Sequence, residues 1–182
     1  MARLLAEFTC SLDGFVADAD GDFSWSEPDP EVHQWFNDRE REFGTHLYGR
    51  RLYETMRVWQ DWEDDDPITA EYGRIWRGID HVVYSRTLAE ATTPRTRIER
   101  DFDPDRVRRE VDALERDAVV GGATLAGIAM RAGIVDELRI VLVPHLVGGG
   151  TRAIPDGVRG AVRLLEERRF ANGAVLLRYG MR

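Results

Sequence analysis

Val119-Val120-Gly121-Gly122-Ala123-Thr124-Leu125 decides how this chain is read. A short β-branched run meets a glycine pair, and small helix-forming residues follow at once, to about Ala132. That is a strand turning directly into a helix. Upstream, Asp103-Pro104 opens a charged helix to about Arg116, with Asp103 as its N-cap and Pro104 at the first helical position. Downstream, Val135 to Val143 is a long strand. The same alternation recurs toward the N-terminus. Ile79 to Tyr84 reads as a buried strand, Ile68 to Arg77 and Arg50 to Val58 as helices, and Thr45 to Tyr48 as a strand. Val32, Trp35, Phe36, Arg39 and Phe43 follow helical spacing, and Gly44 is expected to end that helix. Leu4 to Cys10 is the first strand, with Phe15 to Ala17 as a brief continuation after the Asp13-Gly14 turn. Ile98 falls in a short strand. At the other end, Ala161 to Phe170 pairs with Ala174 to Met181 across Ala171-Asn172-Gly173, an Asn-Gly hairpin signal.

Helices alternating with short strands predict an α/β domain with a mostly parallel central sheet. The terminal hairpin adds antiparallel strands at one edge. Residues 1–182 read as one domain, without repeats or low-complexity tracts. Acids outnumber bases 33 to 25, for a net charge of -8, which argues against a nucleic-acid partner. Cys10 stands alone, so no internal disulfide or thiolate cluster is expected. No apolar run approaches the roughly 20 residues of a membrane span, and Met1 to Phe8 lacks a signal-peptide core. The expected setting is the cytoplasm. His33, His46, His81 and His145 show no metal-ligating pattern. Asp61 to Asp66 reads as a solvated acidic loop.

Three strand ends carry features that suit phosphate. In a parallel sheet, ligands gather beyond the carboxyl ends of strands, where helix N-termini offer free amides. Gly121-Gly122 lets backbone approach a pyrophosphate, although close helix–sheet packing explains the glycines equally well. The stretch is neither Gly-x-Gly-x-x-Gly nor a P-loop. Tyr48-Gly49-Arg50-Arg51 puts two arginines at a helix start, where they oppose the dipole unless an anion offsets them. Tyr84-Ser85-Arg86-Thr87 offers hydroxyls and a guanidinium to a phosphate monoester. A solvated arginine pair and a polar turn are the plainer readings of these two. Taken together, the three ends suit a dinucleotide carrying a 2′-phosphate, NADPH. Gly148-Gly149-Gly150 precedes no helix and reads as a flexible loop.

These motifs also carry a resemblance. Ser11-Leu12-Asp13-Gly14, Gly49-Arg50-Arg51-Leu52-Tyr53-Glu54, Ser85-Arg86-Thr87-Leu88, Val120 to Leu125, Gly133 to Leu138 and Pro144 to Gly150 occur in this order. The set resembles the dihydrofolate reductase-like superfamily. Within it, the chain looks like a stand-alone version of the reductase domain at the C-terminus of the bifunctional riboflavin-pathway deaminase/reductase. The resemblance implies a three-layer fold of about eight strands with helices on both faces, NADPH as cofactor, a small-molecule substrate and a homodimer. It assigns Gly49, Arg50, Arg51, Ser85 and Arg86 to the adenosine end of NADPH. Gly121, Gly122, Ala123, Thr124 and Leu125 fall to the pyrophosphate and nearby ribose.

Two positions depart from dihydrofolate reductase proper. Leu52 stands where threonine is expected. The folate-binding carboxylate would fall at Val32, while Glu31 lies one residue earlier, about 100° round the helix. Asp13 is the first candidate for substrate contact or proton transfer, and Glu31 the second. Trp25 and Phe36 are candidates to stack on a planar substrate. The nearest activity by resemblance is 5-amino-6-(5-phosphoribosylamino)uracil reduction. Pterin reduction and a non-catalytic nucleotide-binding role are the alternatives.

Overall fold

The apolar N-terminal run forms β1 (Leu4–Ser11), and its two faces diverge at once. Leu4, Ala6, Phe8 and Cys10 point to one side of the sheet, and Leu5, Glu7, Thr9 and Ser11 to the other. A strand buried on both faces belongs in the middle of a covered sheet, and β1 lies there. A computed structural model describes residues 1–181. After β1 come β2 (Phe15–Ala17), α1 (Pro30–Glu40), β3 (Phe43–Gly49), α2 (Arg50–Met56), α3 (Pro67–Arg77), β4 (Asp80–Tyr84) and β5 (Thr96–Glu99). Then follow α4 (Pro104–Asp112), β6 (Asp117–Gly121), α5 (Ala123–Arg131), β7 (Glu137–Val143), β8 (Thr151–Arg152), β9 (Val162–Arg169) and β10 (Val175–Met181).

Eight strands form one sheet in the order β5-β4-β3-β6-β1-β7-β10-β9. The first six run parallel, and β10 is antiparallel to both β7 and β9. β2 and β8 pair separately as a small antiparallel sheet. The expected architecture, including the terminal hairpin, is found.

Three helices start alike. Asp29, Asp66 and Asp103 each precede a proline and accept hydrogen bonds from amides in the first turn, from Val32 at 2.9 Å, Thr69 at 2.8 Å and Asp105 at 3.0 Å. The helix expected to run to Phe43 stops at Glu40 instead, and Phe43 opens β3. The reason is burial: Phe43 is fully enclosed against Leu5, Ile79 and Val119, worth about 2–3 kcal/mol. The next helix ends at Met56 rather than Val58 and continues as a tighter turn over residues 57–60. α4 ends at Asp112 rather than near Arg116.

Between α1 and the sheet lies an enclosed charged network. Arg139 is 1% exposed. Its Nε donates to Glu137 at 2.7 Å and its Nη2 to Glu42 at 3.0 Å. Glu7 Oε2 is 3.7 Å from Arg139 Nη1, and neither atom has a hydrogen-bond partner among the described residues. Beside it, His46 pairs with Glu40 at 2.8 Å and meets the Tyr48 hydroxyl, which also accepts from Trp76 Nε1 at 3.3 Å.

Candidate functional site

Because β4, β3, β6, β1 and β7 are parallel, their carboxyl ends open on one edge. β4, β3 and β6 are consecutive in the sheet, so the three phosphate-suited turns stand side by side. At the end of β6, Gly121 and Gly122 do different work. A Cβ on Gly121 would come 2.5 Å from Leu52 Cδ2, so this glycine lets α2 pack closely on the sheet. Gly122 has φ +83, a conformation that glycine adopts without strain. It caps α5 with no side chain taking the first amides. Those donors, from Ala123, Thr124 and Leu125, lie at the positive end of the helix dipole. A groove of about 280 Å³ runs beside α5 from Ala123 and Thr124 to Arg131. Its far wall is Thr151, Arg152, Pro155 and Asp156. Arg152, whose guanidinium lies 5.3 Å over the Phe15 ring, escaped the sequence reading. The only signal was an arginine soon after three glycines.

At the neighbouring ends, Arg50 Nη1 donates to Thr87 Oγ1 at 2.9 Å, joining the start of α2 to the turn after β4. Arg50 also pairs with Glu54 at 2.8 Å. Arg86 pairs with Asp101, and its side chain is 80% exposed. Arg51 is exposed, and its side chain makes no ion pair or hydrogen bond among the described residues. Exposed pairs of this kind are worth little, so an incoming phosphate exchanges for the carboxylates at small cost. The Ser85 hydroxyl is engaged in its own turn, accepting from the amides of Thr87 at 3.2 Å and Leu88 at 3.0 Å. Tyr53, fully buried, braces this region by accepting from the Thr92 amide at 2.9 Å.

The ends of β1 and β7 form the other half of the edge. Asp13 accepts from the Val147 amide at 3.1 and 3.2 Å and from Gly148 at 2.7 Å. The Ser11 hydroxyl and these amides hold its carboxyl down to about 2. At neutral pH it therefore accepts hydrogen bonds and carries no proton to give. The glycine run expected to be flexible is pinned. Besides Asp13, a Cβ on Gly150 would lie 2.2 Å from the Ala17 carbonyl, and β8 then pairs with β2. Trp25, half-buried in its loop, stacks on His145 with centroids 5.4 Å apart and planes 6° from parallel. His145 also accepts from the Leu12 amide at 2.8 Å.

Two predicted residues have partners elsewhere. Glu31 accepts from the Ala171 amide at 2.9 Å and pairs with Arg168 at 3.0 Å, which together hold its carboxyl below the usual range. It ties α1 to the terminal hairpin. Phe36 packs edge-on to Trp35 at 5.2 Å, in the cluster with Phe170 and Leu176. His81, buried against Trp76 and Tyr48, is pushed down to about 3 by burial and stays neutral. No helix among the described residues is long and apolar enough to cross a membrane.

Comparison with known proteins bears on the family and the fold. YyaP of Bacillus subtilis (strain 168), an uncharacterized protein, is 26% identical over 97% of this chain and 94% of its own length. A protein assigned to riboflavin biosynthesis in Shewanella sp. PV-4 superposes with a TM-score of 0.78 at 18% identity, covering 100% of this chain and 99% of that one. RibD of Acinetobacter baumannii superposes with a TM-score of 0.73 at 15% identity, covering 100% of this chain and 58% of the longer RibD chain. The RibD C-terminal domain matches over residues 2–176, and the chain belongs to that family.

Proposed function

We propose that this protein is an NADPH-dependent reductase of a small heterocyclic, carbonyl or imine substrate. One observation carries the reading: the uncapped N-terminus of α5, entered through Gly122 at φ +83, stands in line with the arginine-bearing turns joined by Arg50 and Thr87. Amides at that helix start suit a pyrophosphate. Arg50 and Arg86, with partners that are exposed and exchangeable, suit a 2′-phosphate. When bound, NADPH supplies the hydride. The chain's own part is to hold the cofactor along β4, β3 and β6 and to shape the substrate side with the pinned loops at β1 and β7. Asp13 contributes there as an acceptor and loop anchor. Arg152 faces the groove beside α5 and suits an anionic group. Membership in the RibD C-terminal domain family supports 5-amino-6-(5-phosphoribosylamino)uracil reduction as the nearest activity. Pterins and other small carbonyl compounds are the next substrates to screen.

The test is a titration with NADPH and with NADH, read by quenching of tryptophan fluorescence. Tighter binding of NADPH is expected, followed by NADPH oxidation with one member of a pyrimidine, pterin and carbonyl panel. Binding of neither cofactor overturns the reading.

A further inference from the structure

At the amino ends of β3, β4 and β5, on the edge of the sheet remote from the phosphate-suited turns, a cavity of about 470 Å³ opens beneath α4. Small-molecule sites span about 300–1,000 Å³. Alternation along the strands decides its chemistry. Leu47 and Val82 face α4 and meet Val107 and Val111, and with Leu114, just past the helix, they make an aliphatic floor. His81, between Asp80 and Val82, turns its ring to the opposite face, against Trp76 and Tyr48. The floor therefore offers no aromatic surface. Thr45 also lines the cavity. It is 8% exposed, and its hydroxyl makes no hydrogen bond among the described residues.

Charges form the rim, in opposite pairs. Arg95 Nη2 lies 2.9 Å from Asp80 Oδ1, and Arg97 Nη2 donates to Glu110 at 2.7 Å. The Arg95–Asp80 pair is open to solvent, 51% and 57% exposed, so a ligand exchanges into it at small cost. Arg95 holds φ +57, the one left-handed non-glycine backbone among the described residues. Its carbonyl accepts from the His81 amide at 2.8 Å, which fixes that conformation at the entry to β5. Strained residues held in place in this way gather at binding sites.

We propose that this cavity binds a free α-amino acid with a branched aliphatic side chain, of the leucine, isoleucine or valine kind. The rim selects the head group. A lone anion taken up by Arg95 leaves Asp80 unpaired, and a lone cation on Asp80 leaves Arg95 unpaired. A zwitterion entering between them gives each a new partner, its carboxylate to Arg95 and its ammonium to Asp80. The Thr45 hydroxyl offers a further hydrogen bond. The floor selects the tail. Branched aliphatic carbons match Leu47, Val82, Val107 and Val111, and nothing in the floor stacks on a planar ring. The site stands apart from the cofactor edge and does not depend on the NADPH reading.

Isothermal titration calorimetry with L-leucine tests the assignment. Saturable binding with a Kd below about 1 mM is expected. Isocaproate, which lacks the ammonium, and isoamylamine, which lacks the carboxylate, each bind at least about tenfold more weakly. R95G removes the guanidinium at a backbone conformation that glycine adopts freely, and D80N removes the charge opposite. Each weakens L-leucine about tenfold. L114W fills the cavity and abolishes binding, with circular dichroism and the NADPH titration as in the parent. No saturable binding of L-leucine, L-isoleucine or L-valine up to about 10 mM overturns the proposal. Equal affinities for the zwitterion and the two single ions overturn it too, as does L-leucine binding that is indifferent to R95G and L114W.

Discussion

Asp13 is held in its charged form by its own neighbours, and this decides what it does. Replacing it with alanine removes the acceptor shared by Val147 and Gly148. Amide exchange at these two positions, followed by NMR, is expected to quicken about tenfold while exchange in β1 stays unchanged. The arginines answer to a different measurement. Arg50→Ala and Arg86→Ala are each expected to weaken NADPH about tenfold and NADH less than twofold. Equal losses for both cofactors remove the 2′-phosphate role. The arginines were legible because a cation at a helix start is locally unfavourable and asks for an anion. Asp13 was legible as a turn residue and a candidate for substrate contact, and not as the anchor of a distant loop. Its partners lie 134 and 135 positions away, and no local spacing shows such a contact. Phe36 and Glu31 illustrate the same limit, because what they touch is set by the packing of α1 on the hairpin.

At the scale of elements, the turn between β6 and α5 can be tested by volume and by backbone conformation. Gly122→Ala forces a side chain into φ +83 and is expected to cost about 1 kcal/mol or more. Gly121→Ala is a clash with Leu52 and is expected to cost about 1–3 kcal/mol. Leu52→Ala in the same chain then recovers part of that loss, which chemical denaturation of the four variants in the cycle measures. Several elements announced themselves through their ends: Asp103-Pro104 at a helix start, Asn-Gly at the hairpin, glycine after β6. The boundary at Phe43 did not. Helical spacing continues past Glu40, and only the enclosure formed by Leu5, Ile79 and Val119 makes Phe43 a strand residue. Gly150 was misjudged for a similar reason, since its close approach to Ala17 comes from a neighbour distant in the chain.

For the molecule as a whole, the charged network under α1 makes stability depend on pH. Burial pushes the Glu7 carboxyl up to about 8 from an ordinary 4.5, with Glu40 adding to the effect and Arg139 opposing it. A raised carboxyl favours the folded state fully below 4.5, and that contribution is lost as pH climbs through 8. Tm is therefore expected to fall between about pH 5 and 8. Glu7→Gln removes most of that slope and exceeds the parent at pH 8 by about 3–6 °C, by differential scanning calorimetry. A slope unchanged in the variant assigns the titration elsewhere. Carboxylates held low, such as Asp13 and Glu31, act in the opposite sense and only in acid. Strand order was not legible from periodicity, which shows that strands exist and not which ones meet. The pairing in the structure supplies it, and the central place of β1 has a cost in time. β1 pairs with β6 and β7, more than a hundred residues downstream. During synthesis β1 therefore leaves the ribosome well before either partner and waits, unpaired, until β6 has followed, about two-thirds of the way through the 182 residues. Closing this sheet is a late, long-range event, and β1 is the strand that stays aggregation-exposed longest before its partners arrive.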